Sequence, residues 1–291
     1  MRRVAATPVP RDRASPRIAV SGDVVPDRTS RPAPRALREI VPLRAFSDNY
    51  VWTLRDERCA AVVDPGDARP VFDYLEREKL ELVAILNTHH HADHVGGNAA
   101  LLSRWKVPVF GPRDERIAEV TRGLRDGERF VLPHFGIEFA VLEIPGHTRS
   151  HIAFYGDGML FCGDTLFAAG CGRLFEGTPR QMHDSLTRLA ALPDATRVYC
   201  GHEYTLANVR FARVAEPDNA ALRELEAEAK ALRERDLPTL PSTIGREKAT
   251  NPFVRVTQPA VIASASARAG RPLDDPVSVL AAIREWKNSF S

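Results

Sequence analysis

The sequence predicts an α/β domain followed by a mainly helical tail, and three observations carry that prediction. From residue 39 onward, short β-rich runs alternate with helical ones. One of those runs, Leu82 to Asn87, is apolar on both faces, as a strand covered on both sides must be. After Tyr204 the alternation gives way to long charged segments of helical texture. The division is an α/β domain over 39–205 and a helical domain over 206–291, each of ordinary domain size.

The elements follow in order. Residues 1–38 are rich in Arg and Pro and poor in large apolar side chains. Such a stretch buries too little surface to offset its ordering entropy and is expected to be a disordered extension. Its Arg-rich start resembles a transit peptide, but scattered prolines and Asp12, Asp23 and Asp27 tell against an amphipathic, acid-poor helix. Tyr50 to Leu54 and Cys59 to Val63 form a strand pair, and Asp64-Pro65-Gly66-Asp67 ends it. Pro70 to Glu78 is a helix with Pro at its start. The Leu82 strand follows, then a helix over Asn98 to Trp105 and a strand over Val107 to Phe110. Arg129 to Glu143 makes two strands broken near Pro133 to Gly136. His151 to Tyr155 and Met159 to Cys162 make a hairpin around Gly156-Asp157-Gly158. A helix over Gln181 to Ala191 precedes a last strand, Arg197 to Cys200. In the tail, Glu216 to Arg235 and Asp275 to Ser289 are long helices, and Leu237 to Pro272 is expected to be mostly irregular.

Bulk properties narrow the function. The 291 residues carry a net charge of +2, with 44% hydrophobic and 27% charged residues, so no nucleic-acid or membrane partner is implied. No apolar run approaches the roughly 20 residues of a membrane span. Four cysteines without CxxC pairing fit a reducing, cytoplasmic setting. A monomer is expected.

The chemistry is concentrated in His89-His90-His91-Ala92-Asp93-His94, directly after the Leu82 strand. Ligands at i, i+2, i+4 and i+5 share no helix face, so the cluster is expected on a loop. It offers too many ligands for one tetrahedral ion, and two adjacent ions would divide it. More donors stand after other strands, in Pro145-Gly146-His147-Thr148, Cys162-Gly163-Asp164-Thr165 and Cys200-Gly201-His202-Glu203. In each, a glycine is expected to let the backbone turn sharply before the ligand. His90 points away from the ions by alternation, and His134 and His183 carry no signal. Asp64 and His151 are candidates to orient ligand imidazoles.

This set resembles the metallo-β-lactamase superfamily. Asn87 to Asn98, Gly163 to Phe167, Gly170 to Thr178, Gly201 to Thr205, Asn251-Pro252-Phe253 and the spacing Arg284-x-x-Lys287-x-x-Phe290 resemble the glyoxalase II, or hydroxyacylglutathione hydrolase, family within it. The resemblance covers about residues 39–291 and implies an αββα sandwich with a helical C-terminal domain. It places His89, His91 and His147 on one metal, Asp93, His94 and His202 on the other, and Asp164 between them. Asp93 and Asp164 are assigned catalytic as well as ligand roles. Zinc is the default for this donor set, and iron or manganese also suits it.

Two divalent ions about 3.5–4 Å apart lower the pKa of a water between them, so that water is the expected nucleophile and Cys171 is structural. A thiol leaving group (pKa about 8.5) needs no strong general acid, which suits thioester cleavage. The resemblance implies S-D-lactoylglutathione as substrate, with Arg284 and Lys287 receiving a glutathione carboxylate and Arg173, Phe175 and Tyr204 lining its site. Where some members have Lys and Tyr, this chain has Arg173 and Phe175. The alternatives are a glutathione persulfide dioxygenase on the same fold, a metallo-nuclease, and a non-catalytic metal-binding scaffold. The complete ligand set argues for hydrolysis, and no basic aromatic stretch holds nucleic acid.

Overall fold

The computed structural model describes residues 36–290. The expectation for 1–38 therefore lies, save for residues 36–38, outside the described residues. Strands β1 (Glu39–Ala45), β2 (Asn49–Arg55) and β3 (Cys59–Val63) form an antiparallel meander. Helix α1 (Arg69–Glu78) returns the chain to β4 (Glu81–Leu86), parallel to β3. A helical turn α2 (Ala92–Val95) and helix α3 (Asn98–Arg104) lead to β5 (Val109–Pro112) and β6 (Arg122–Leu124), which complete the first sheet in the order β1-β2-β3-β4-β5-β6.

The second sheet begins with β7 (Arg129–Val131), β8 (Glu138–Glu143), β9 (Ile152–Gly156) and β10 (Met159–Gly163), antiparallel in succession. A ribbon of β11 (Leu166–Phe167) and β12 (Gly170–Cys171) and helix α4 (Pro179–Ala190) precede β13 (Arg197–Cys200), which lies parallel to β10. Helices α5 (Thr205–Ala215) and α6 (Ala220–Glu234) follow. Strand β14 (Ser242–Thr243) then closes the sheet edge beside β13, and α7 (Ile244–Thr250), α8 (Pro259–Ala269) and α9 (Pro276–Asn288) end the chain.

Strand alternation divides the core into layers. Tyr50, Trp52, Leu54, Ala61, Val63, Ala84 and Leu86 point from the first sheet into a cluster with Phe139, Val141, Phe154 and Phe161 of the second. The intervening Val51, Ala60, Val62, Leu82 and Ile85 pack outward on Val71 and Leu75 of α1 and Leu101 of α3. On the other side, α4 is held to the end of β8 by Arg188 Nη1, which donates to Glu143 O (3.2 Å), and by Ser185 Oγ, which donates to Pro145 O (2.7 Å). The result is the expected sandwich of two sheets between helices, with a helical segment after it. No helix among the described residues is long and apolar enough to cross a membrane.

The tail differs from its sequence reading. The helix expected over Glu216 to Arg235 is α6 alone, begun by Asn219, whose side chain accepts from Leu222 N. A separate α5 precedes it. Leu237 to Pro272 is not irregular, because α7 and α8 lie within it. Pro259 occupies the first turn of α8, where a missing N–H costs nothing, and Gly270 ends that helix at φ 67°.

Candidate metal centre

All the sequence-predicted donors come together at the ends of β4, β8, β10 and β13. His89 lies in the bend after β4 and His91 is extended just before α2, as expected of a loop cluster. Asp93 and His94 instead ride on α2, whose turn closes through His94 N donating to His91 O (2.9 Å). The two conformations solve the spacing problem: the non-helical half joins one group of donors and the helical half another.

The glycines serve two purposes. Gly163 has φ +46°, a left-handed conformation that a side chain disfavours, so the expected sharp turn is present there. Gly201 has no positive φ. Its requirement is space, because a Cβ would stand 2.6 Å from His94 Cε1 and 2.7 Å from Asp164 Oδ1.

His89, His91 and His147 offer ligand atoms within 4.8 Å of one another, and so do Asp93, His94 and His202. His91 Nδ1 lies 3.1 Å from His89 Nε2 and 3.0 Å from His147 Nε2. Asp164 stands between the groups, with Oδ1 3.5 Å from His94 Nε2 and Oδ2 3.4 Å from His147 Nε2 and 3.3 Å from His202 Nε2.

Hydrogen bonds behind the cluster aim the imidazoles. The Thr88 hydroxyl donates to Asp64 Oδ2 (2.7 Å), so it accepts from His89 Nδ1 (3.1 Å) and leaves Nε2 for the centre. His147 Nδ1 donates to Arg173 O (2.9 Å), and His202 Nδ1 donates to Asp48 Oδ1 (2.7 Å). Asn49 Nδ2 donates to Asp93 Oδ2 (3.0 Å). No spacing signal in the sequence marks Thr88, Asp48 or Asn49 for these roles. Asp64 also lies within 4.8 Å of His89 and His94. Its oxygens are engaged by Thr88 N and Oγ1, each at 2.7 Å, which suits it to orienting ligands. His151 does a different job from the one expected: its Nε2 accepts from Asp164 N (3.2 Å), and its ring stacks on His89 at 4.5 Å. His90 faces Asp114 Oδ2 at 3.7 Å and Glu176 Oε1 at 3.6 Å, away from the centre.

The electrostatics differ between the two groups. At His94 and His202 burial lowers the pKa, but Asp164 outweighs it and both values are raised, whereas the three-histidine group suits a bound cation. Burial lowers the pKa of His89 and His147, and takes His91 down to about 4, so these imidazoles are neutral and their lone pairs available. Burial opposes the Asp164 carboxylate, but His94 and His202 outweigh it and keep its pKa well below the usual range. His94 and then Asn49 hold Asp93 low in spite of its burial. His94 Nε2 and Asp164 Oδ1 are buried without a hydrogen-bond partner, while His94 Nδ1 faces Asp64 Oδ2 at 3.2 Å. Buried polar atoms in that state call for a further ligand, and an ion among Asp93, His94 and His202 would supply one. Two groups that could each hold an ion, abutting at Asp164, are the donor arrangement of a binuclear metal site.

A cavity of about 700 Å³ opens on this cluster. His91, Asp93, His147, Asp164 and His202 form one part of its wall, and Arg284 and Lys287 of α9 another, with Arg173, Phe175 and Tyr204 also lining it. Tyr204 stacks on His202 (4.6 Å, 6°), and the exposed Phe175 sets its ring edgewise to His91 and His147 at 5.6 and 5.3 Å. Arg284 is buried, its Nη1 donating to Cys171 O (2.7 Å) and its Nε without a partner. Lys287 Nζ donates to Ala207 O (3.1 Å). Burial, with Arg284, Arg210 and Arg173 nearby, brings its pKa down to about 8.

Residues 44–202 match the model of the metallo-beta-lactamase superfamily, and residues 203–290 match that of the hydroxyacylglutathione hydrolase C-terminus. The hydroxyacylglutathione hydrolase of Nitrosomonas europaea is 55% identical over 251 residues, covering 86% of this chain and 96% of that one. The chain belongs to the hydroxyacylglutathione hydrolase family. A second hydroxyacylglutathione hydrolase, from Alkalilimnicola ehrlichii, is 55% identical over 254 residues, 87% of this chain and 99% of its own. Like its family, the chain is an enzyme, a thioester hydrolase. Among solved structures, ETHE1 from Myxococcus xanthus aligns with a TM-score of 0.58 at 27% identity, over 86% of this chain and 98% of that one. TTHA1623 in a di-iron-bound form aligns with a TM-score of 0.52 at 28% identity, over 74% of this chain and 100% of that one.

Proposed function

We propose that this hydroxyacylglutathione hydrolase cleaves S-D-lactoylglutathione to glutathione and D-lactate. The observation that carries the reading is the single cavity shared by the His/Asp cluster and the cationic face of α9. In this reading His89, His91 and His147 hold one ion and Asp93, His94 and His202 the other, with Asp164 shared. Divalent ions there would supply Lewis acidity and a water of lowered pKa.

The chain's own residues do the rest. Lys287 and Arg284 present positive charge to a glutathione carboxylate, and Arg173 adds a third cation at the cavity wall. Phe175 and Tyr204 provide flat apolar walls that also cover His91, His147 and His202 from solvent. Asp93 and Asp164 stay ionised, which balances cationic charge and keeps the imidazoles aimed inward. The thiolate of glutathione leaves without a dedicated proton donor, in keeping with its modest basicity.

Zinc is our assignment for the metals, with iron or manganese also compatible with nitrogen and oxygen donors. The di-iron form of TTHA1623 supports iron as the competitor. The test is loss of the thioester's ultraviolet absorbance on S-D-lactoylglutathione, with metal content measured on the same sample. A folded, fully metallated protein that leaves the thioester intact would overturn the substrate assignment.

A further inference from the structure

The sandwich has two ends, and the chemistry described above occupies one of them. At the other, the turn between β2 and β3 meets the turn between β7 and β8. His134, from the latter, places Nε2 2.7 Å from Asp56 Oδ2. Asp56, Cys59 and His134 each offer a ligand atom, all within 4.8 Å of one another. Cys59 opens β3, and Asp64 directly follows that strand's far end. Five residues of extended chain at about 3.3 Å each separate the two by roughly 17 Å, so this cluster shares no donor with the catalytic centre.

We propose that Asp56, Cys59 and His134 form a separate divalent-metal site, selective for a borderline-soft ion such as zinc. The donor chemistry is the first argument. A thiolate, an imidazole and a carboxylate are donors that zinc accepts together and that magnesium or calcium does not. Preorganisation is the second. Asp56 Oδ1 accepts from Arg58 N (2.7 Å) and Cys59 N (2.8 Å), which fixes the carboxylate and directs Oδ2 at the imidazole. His134 is held at φ 72°, a left-handed conformation that a non-glycine residue seldom adopts, and its ring rests edgewise on Phe135 at 5.3 Å. Exposure is the third. Asp56 is buried while Cys59 and His134 are half-buried, so the cluster is not sealed from solvent.

Zinc bonds of about 2.0–2.3 Å put neighbouring ligand atoms on the order of 3.5 Å apart. The carboxylate and imidazole then need to part by under about 1 Å as the ion replaces the proton between them. Binding also releases the thiol proton of Cys59. Backbone amides already hold the pKa of Asp56 down at about 2 against its burial, so the carboxylate gives up no proton. An occupied site would join a turn of the first sheet to a turn of the second at the end the catalytic metals do not reach.

The test loads the enzyme with cobalt(II). The predicted catalytic ligands are all nitrogen and oxygen donors, so a thiolate-to-cobalt charge-transfer band in the near ultraviolet reports a cysteine-containing site. The expected result is such a band in the parent enzyme, its loss in Cys59→Ser and in His134→Asn, and one bound equivalent fewer in each. Thioester hydrolysis should stay within about twofold, because both positions are remote from the cavity. Absence of the band in the parent, or its persistence in Cys59→Ser, overturns the site. Loss of the band together with hydrolysis does so as well, since it would trace the signal to the catalytic centre or to the fold. If His134→Asn fails to fold, Cys59→Ser decides alone, with circular dichroism as its folding control.

Discussion

Gly201→Ala adds one methyl group where the chain leading to His202 passes close to His94 and Asp164. That methyl would stand 2.6 Å from His94 Cε1 and 2.7 Å from Asp164 Oδ1, where ordinary contact begins at 3.4 Å. Either those ligands or the backbone leading to His202 must therefore withdraw by about 0.7 Å. Metal–ligand distances tolerate only about 0.2 Å, and a misplacement near 1 Å costs on the order of 10²-fold in rate. His94 and Asp164 are both buried and boxed in, so the strain cannot be passed to solvent. We expect metal content to fall by about half, as the His94 and His202 group loses its ion, and kcat/KM to drop about 10²-fold, or roughly 2.7 kcal/mol. The assay is elemental analysis of the purified variant alongside thioester hydrolysis, with a thermal melt to measure the overpacking cost of about 1–3 kcal/mol. Full metal content with activity within a few-fold of the parent would refute the idea that ligand geometry is set by contact with Gly201.

Three further outcomes follow from the cavity wall. Arg284→Ala combined with Lys287→Ala should raise KM on the order of 10²-fold with unchanged metal content, and should lower stability by about 1–3 kcal/mol because Arg284 also ties α9 to Cys171 O; an unchanged KM would remove the tail from substrate binding. The pKa of Lys287 is depressed, from its usual 10.5 to about 8, so its charge is present below that value and lost as pH rises through it. KM for the anionic thioester should accordingly climb above pH 8 and the climb should flatten in Lys287→Arg, whereas identical pH profiles would exclude Lys287 as the titrating group. Phe175→Tyr restores a hydroxyl beside the cavity and should lower KM by a few-fold, about 0.5–1.5 kcal/mol, with kcat unchanged; a rise in KM would mean that the ring is needed apolar.

The sequence made the centre legible where donors were concentrated or punctuated. His89 to His94 stand side by side, and His147, Asp164 and His202 each follow a glycine after a strand. The residues that aim them were not legible, because Asp48, Asn49 and Thr88 are polar residues of common type whose value arises only when β1–β2, β4 and β13 are brought together. The same contrast runs through the fold. Strands buried on both faces, such as β2 to β4, are marked by their apolar runs. Strand β1 is partly exposed, with charged residues at its ends, and β11, β12 and β14 span two residues each, too short for a period to register. Helix α8 was hidden by its composition: small residues give no strong apolar stripe, and Pro259 reads as a breaker until it is seen to begin the helix.

Neither sheet carries a complete set of donors. The first supplies His89, His91, Asp93 and His94, while His147, Asp164 and His202 come from the second. Ion affinity is thus a gauge of how accurately the halves face each other. Side chains that set the spacing between sheets, such as Phe139, Phe154 and Phe161, become remote determinants of that affinity although none touches the ions' ligands as a donor. A trimmed core residue should leave a folded enzyme that holds its metals less tightly, so that starvation for metal would expose defects which heat alone conceals.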